Sequence, residues 1–230
     1  MINKFANLSH LDYRVKPDND SICTGRSMVE MLGVLAIIGV LSVGAIAGYS
    51  KAMMKYKLNQ HAQAVNMLIN NVLSLKGKLQ HNPGVNTYFG TLLYKLNMLP
   101  DGIEYGGDSY LKDKWFKERI SIYYSNDKYT DIDGTERQND LGSISFYFDS
   151  ASASGEEICR NIAFAAKENA ANIYLLQQNT GTEASRENKY YGDAYCTEDK
   201  ICLRNLDINK VAKICNNCSE AICTIRVVWK

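Results

Sequence analysis

Proline is scarce in this chain, at 3 of 230 residues, while 46% of it is apolar, so it is not a low-complexity or disordered polymer by composition. Neither charge sign dominates: the formal net charge is +1 and no basic run stands out, which argues against a nucleic-acid-binding surface. Histidine is nearly missing, with His10, His61 and His81 the complete set. No phosphate-binding glycine loop, His-x-x-x-His pair or Gly-x-Ser-x-Gly elbow occurs, and His61 and His81 have no nucleophile near them in sequence. Asp131 with Asp133, or Glu156 with Glu157, could supply a pair of carboxylates for acid–base work, but solvation in a loop and at a helix start accounts for both. The chain therefore reads as a non-enzyme that needs no cofactor.

What is present begins with one long apolar run. From Met31 to Tyr49 there are 19 residues without a charge. As a helix, such a run spans about 28 Å at 1.5 Å per residue, close to the ~30 Å hydrocarbon thickness of a bilayer. Gly33, Gly39, Gly44 and Gly48 punctuate it. In water each would cost about 1 kcal/mol relative to alanine, whereas in a membrane small residues allow helices to approach closely. Glu30 sits at the polar edge of the run, where an unpaired carboxylate is costly and marks a function or a partner.

The stretch that opens this run, Gly25 then Arg26, Ser27, Met28, Val29 and Glu30, followed by the apolar helix, resembles the processing and assembly signature of type IV pilins and their pseudopilin relatives. The resemblance implies cleavage by a prepilin peptidase after Gly25, N-methylation of Arg26 as the new first residue, and a role in subunit assembly for Glu30, fifth in the mature chain. Arg26 stands where the family commonly has a hydrophobic residue, and Ala47 where many members have a helix-bending proline.

Residues 1–25 lack the apolar core of a secretory signal and carry Asp12, Asp18 and Asp20; the apolar segment instead follows the cut. A leader of this length resembles the type IVb branch. Lysines and arginines flank the run on both sides, so charge leaves the orientation open. The resemblance places the leader in the cytoplasm and the remainder in the periplasm, as a single-pass inner-membrane protein before assembly and an extracellular filament afterwards.

The cysteines divide at the same place. Cys23 lies in the leader, and Cys159, Cys196, Cys202, Cys215, Cys218 and Cys223 lie beyond it. An even set in an exported segment favours three disulfides; a zinc site from Cys196, Cys202, Cys215 and Cys218 is the alternative. The resemblance to type IVb pilins implies that Cys159, in a late helix, pairs with Cys218 or Cys223 shortly before the last strand. Cys196 with Cys202 would close a small hairpin-like loop.

After Ser50 the pattern turns amphipathic. Leu58, Val65, Val72 and Leu79 recur every seven residues, with Ala62, Leu68, Ile69 and Leu75 on the same side, which extends the helix to Gln80 and a stop at His81–Gly84. Met28 to Gln80 would make a helix of roughly 80 Å. A short helix is expected over Thr87–Met98, closed by Leu99-Pro100, then strands over Arg119–Tyr124 and Ser143–Asp149 with a turn at Asp131–Arg137 between them. Gly155–Lys167 reads as a helix, and Asn172–Gln177 and Thr224–Trp229 as strands. Strands and helices alternate in no βαβ rhythm, which argues for an α+β fold on an antiparallel sheet, disulfide-bonded. The 15 tyrosines could form a binding face or simply cover the sheet.

The expected organisation is thus a leader (1–25), a helical spine (26–80, with 26–50 spanning the membrane or forming the filament core) and a globular head (81–230). The resemblance implies a structural subunit of a type IVb-like pilus for adhesion, DNA transfer or motility. Its partners would be further copies of itself, other pilins, the prepilin peptidase and the inner-membrane assembly platform. A type II secretion pseudopilin is the alternative, and a signal-anchored extracytoplasmic protein that never polymerises is a second one.

Overall fold

The computed structural model describes residues 27–80, 85–125, 128–131, 133–138, 141–150, 152–179, 189–216 and 222–230. They divide into two compact units between Ser50 and Lys51. Helix α1 is Met28–Ser74; its residues up to Ser50 belong to the first unit and those from Lys51 to the second.

In the second unit α1 buries one stripe, formed by His61, Ala64, Val65, Leu68, Ile69, Val72 and Leu73, while Lys55, Gln63 and Asn70 are exposed. The period matches the sequence expectation, but the helix ends six residues early. Leu75 N–H bonds to the Val72 carbonyl and Lys76 N–H to that of Leu73, a tightened last turn, and Gly77 then takes a left-handed φ of 76°. A glycine in that conformation stops a helix without the steric cost a side chain would carry, so the chain turns before it reaches the Pro83-Gly84 signal. That signal, and His81, lie outside the described residues.

The sheet is antiparallel throughout, in the order β2 (Ile103–Gly107), β3 (Tyr110–Asp113), β4 (Arg119–Tyr124), β7 (Gly142–Asp149), β10 (Ile222–Trp229), β8 (Leu175–Asn179), β9 (Lys189–Tyr191). Strand β1 (Thr87–Tyr88) shares one edge of β4 with β3: β3 lies against Arg119 and Ile120, β1 against Tyr123 and Tyr124. The expected helix over Thr87–Met98 is therefore shorter. Thr87 and Tyr88 are strand, and α2 covers only Gly90–Lys95. Between β4 and β7 a separate hairpin, β5 (Lys128–Thr130) with β6 (Glu136–Gln138), carries the expected turn, with Gly134 at a φ of 80°.

Helix α3 (Gly155–Glu168) carries the chain from β7 to β8, leaving between them the slot that β10 fills, antiparallel to both. Ile120, Ile122, Ile144, Phe146, Ile225, Val227 and Trp229 alternate onto the sheet face that packs with α1, α3 and α4 (Ile208–Asn216), and all are at most 1% exposed. Gly142 is the register partner of Trp229, and a Cβ there would lie 2.0 Å from the indole ring, so only glycine lets the ring lie across the strand.

Candidate membrane-spanning helix and head surface

In the first unit the helix begins at a cap. Ser27 precedes it, and the Ser27 Oγ accepts the Val29 N–H (3.3 Å) while its carbonyl accepts those of Glu30 (2.8 Å) and Met31 (3.2 Å). Glu30 is then the third helical residue, in the Ser-x-x-Glu spacing of a capping box and at the positive end of the helix dipole. The Ser27-x-x-Glu30 spacing makes this local role of Glu30 legible in the sequence, beside the cost of its charge at the edge of the apolar run.

Every residue from Met28 to Ser50 is exposed, including Met28 (85%), Val40 (75%) and Val43 (70%). The run is apolar around its whole circumference. Among the described residues α1 alone is long and apolar enough to cross a membrane. The hydroxyl in the middle of the run, Ser42 Oγ, donates to the Ile38 carbonyl (2.7 Å), so it needs no solvent partner. A Cβ at Gly33, Gly39, Gly44 or Gly48 would meet nothing within 4 Å, so no contact with the described residues requires a glycine there. Gly25 and Arg26 lie outside the described residues.

In the head unit, Cys196 pairs with Cys202, as expected, but Cys159 pairs with Cys215 rather than with Cys218 or Cys223. The reason is an element absent from the sequence reading: Cys215 lies on helix α4, which packs on α3, and the two half-cystines face each other with their Cα atoms 5.7 Å apart. Cys223 on β10 is buried and also disulfide-bonded. Cys218 lies outside the described residues. Among the described residues no group of histidine, cysteine and carboxylate side chains could hold a metal ion.

The head also buries polar groups. His61 is fully buried; Asn161 on α3 donates from Nδ2 to the Leu58 carbonyl (3.0 Å) and to His61 Nδ1 (3.2 Å), which leaves the ring proton on Nε2, facing Glu118 Oε2 at 3.3 Å. Asp113, at the end of β3, accepts the Trp115 and Phe116 N–H groups on Oδ2 (2.8 and 2.5 Å). Burial pushes both Glu118 and Asp113 above the ordinary carboxylate range, and the charge of Asp113 adds to the shift at Glu118. This cluster joins α1 to the β3–β4 turn and to α3.

Of the carboxylates considered for acid–base work, Glu156 and Glu157 pair with Arg160 at the start of α3 (2.7 and 3.0 Å), in line with the solvated reading. Asp131 departs from it. Its side chain is 2% exposed and ion-paired to Arg137 Nε (2.9 Å) and to Lys230, so it anchors the hairpin to the end of β10.

No family model, no curated protein and no solved structure matches the chain.

Proposed function

We propose that the chain is the structural subunit of a type IVb-like pilus, matured by a prepilin peptidase and polymerised through its apolar helix. One observation carries the reading: an apolar helix exposed around its whole circumference from Met28 to Ser50, with its single carboxylate, Glu30, in the first turn. Such a surface is satisfied by lipid while the subunit waits in the inner membrane, and by the same helices of other copies once it is extracted. Cleavage after Gly25 would create an α-amine at Arg26, four residues before Glu30. In a poorly screening medium the amine of one copy attracts the Glu30 carboxylate of the next, and a misplaced copy leaves a buried charge unpaired. The disulfide-bonded head supports the reading, because paired cysteines persist in a compartment outside the cytosol.

The test has two arms. The mass of the mature N-terminus should begin at Arg26 with an added methyl group; a chain that starts at Met1 or is cut elsewhere refutes the processing step. Electron microscopy of sheared surface material, labelled for this chain, should show long filaments. Short periplasmic assemblies in a secretion-competent cell select the pseudopilin alternative instead, and a mature chain that stays monomeric in the membrane selects the signal-anchored one.

A further inference from the structure

Strand register places a second set of side chains on the sheet face opposite the helices. One row runs Lys112, Arg119, Tyr147, Thr224, and the next runs Ser121, Ser145, Arg226, Gln177, Lys189. The serines form the floor: Ser121, Ser143 and Ser145 are at most 2% exposed because longer neighbours lean over them. Tyr123 Oη lies 3.3 Å from Ser145 Oγ, and Arg226 Nη2 donates to Ser143 Oγ at 3.1 Å. The guanidinium of Arg119 is stacked between the rings of Tyr110 (5.2 Å) and Tyr147 (5.7 Å), and that of Arg226 lies over Tyr123 (5.7 Å). Gly106 makes this possible at the edge, since a Cβ there would strike the Tyr110 ring at 2.4 Å.

Arg119 and Arg226 differ from Arg137 and Arg160. Arg137 and Arg160 each hold carboxylates, whereas among the described residues no carboxylate pairs with Arg119, Arg226, Lys112 or Lys189. Among the described residues Arg226 Nε is buried with no hydrogen-bond partner, and Arg119, although exposed, is held in place by its two rings. Both act electrostatically on the Tyr147 hydroxyl. The acids on this face, Glu104 and Asp149, lie at its margins, on the edge strand β2 and at the end of β7. The centre is a cationic, hydroxyl-rich surface whose planar forks are pre-oriented and, among the described residues, paired with no carboxylate.

We infer that this face binds an acidic polysaccharide, with Arg119 and Arg226 holding carboxylate or sulfate groups and the tyrosine and serine hydroxyls meeting the sugar hydroxyls. Guanidinium forks match the geometry of both anions. Strands β4 and β10 are two sheet spacings apart, roughly 10 Å, comparable to one disaccharide along a polymer. Two features favour this occupant over others. The centre of a protein–protein contact is poor in serine and lysine, whereas here Ser121, Ser143 and Ser145 form the floor and Lys112 and Lys189 stand in the same rows. A single-stranded nucleic acid would want free ring faces for its bases, and here guanidinium groups cover faces of Tyr110, Tyr123 and Tyr147. The inference is independent of polymerisation, because it concerns the head of a single chain.

The test uses the full chain in detergent micelles, immobilised, with alginate (carboxylate), heparin (sulfate), neutral dextran and a single-stranded oligonucleotide as probes. At least one acidic polymer should be retained at low salt and released as ionic strength rises to about 0.5 M, with dextran ignored; which of the two binds tells the anion. Arg119→Gln should weaken retention about tenfold or more, in keeping with the loss of a charged hydrogen-bond donor. Because the Arg119 side chain is exposed and makes no hydrogen bond to the described residues, that variant keeps its fold, checked by near-ultraviolet circular dichroism; Arg226→Gln should add to the loss. Failure to retain either acidic polymer, equal binding of dextran, tighter binding of the oligonucleotide, or unchanged binding by Arg119→Gln overturns the inference.

Discussion

His61 Nε2 and Glu118 Oε2, 57 residues apart in sequence, meet at 3.3 Å with both side chains out of solvent. Glu118→Ala would leave the His61 Nε2 proton buried without an acceptor, which costs about 1–3 kcal/mol. Denaturant unfolding of the variant should show a lower midpoint with an unchanged slope.

The same cluster sets a pH dependence. Burial raises the Glu118 and Asp113 carboxyls in the folded head; at Asp113 the Phe116 and Trp115 N–H groups, the neighbouring His61 of α1 and Lys117 of the β3–β4 turn oppose the shift, and at Glu118 the hydrogen bond from His61 does. The folded state therefore holds these protons more tightly than the unfolded chain does. Their contribution to stability is fully present below the ordinary carboxylate range and is lost as pH rises through the raised values. The melting temperature of the head should fall as pH rises above the ordinary carboxylate range, and Glu118→Gln should flatten that fall. A melting temperature that rises over the same interval would show that ion pairing with His61 outweighs burial.

The Cys159–Cys215 bond closes a loop of 56 residues in sequence separation between α3 and α4. Chain-entropy arguments give about 4 kcal/mol for a loop of this size, or roughly 10 °C in melting temperature for a chain of this length. Cys159→Ala with Cys215→Ala should show that loss by calorimetry. Cys196→Ala with Cys202→Ala, which opens a loop with a separation of only 6, should cost less.

The legible parts of the fold were those in which local pattern and burial agree. Arg119–Tyr124, Ser143–Asp149 and Thr224–Trp229 alternate or run apolar and became β4, β7 and β10. Strand β2 was hidden by Gly106 and Gly107, which no propensity places in a strand and which are there to pass the Tyr110 ring. Helix α4 is only nine residues long, but it carried a readable start: Asp207 Oδ1 accepts the Lys210 N–H at 2.9 Å, and Ile208, Val211 and Ile214 follow at helical spacing. Missing α4 misdirected the Cys159 pairing. The arginine face was not legible at all, because Arg119 and Arg226 are neighbours only once β7 lies between β4 and β10.

Gly142 tests how rigid that sheet centre is. A methyl group there would meet the Trp229 indole at 2.0 Å, and Trp229 is itself fully buried against Tyr124 (ring centroids 5.9 Å). Gly142→Ala must displace the indole, and overpacking of this kind costs about 1–3 kcal/mol. Tryptophan fluorescence should shift toward that of a more solvated ring, with the melting temperature lowered in parallel. An unchanged spectrum would mean that the strand, not the ring, yields.

Glu30 has two roles to separate. Its position three residues into α1 after Ser27 serves the helix start, and its carboxylate is the group proposed to meet the α-amine of another copy. A capping box accepts glutamine as well as glutamate at this position, whereas an ion pair needs the charge. Glu30→Gln should therefore preserve membrane insertion, cleavage and helix content, yet abolish filaments in sheared material, and Glu30→Asp should restore them in part. Filaments of normal length from Glu30→Gln would reduce Glu30 to a capping residue and remove the charge from the assembly mechanism. Loss of cleavage in Glu30→Gln would instead move its role back to the peptidase step, before any two copies meet.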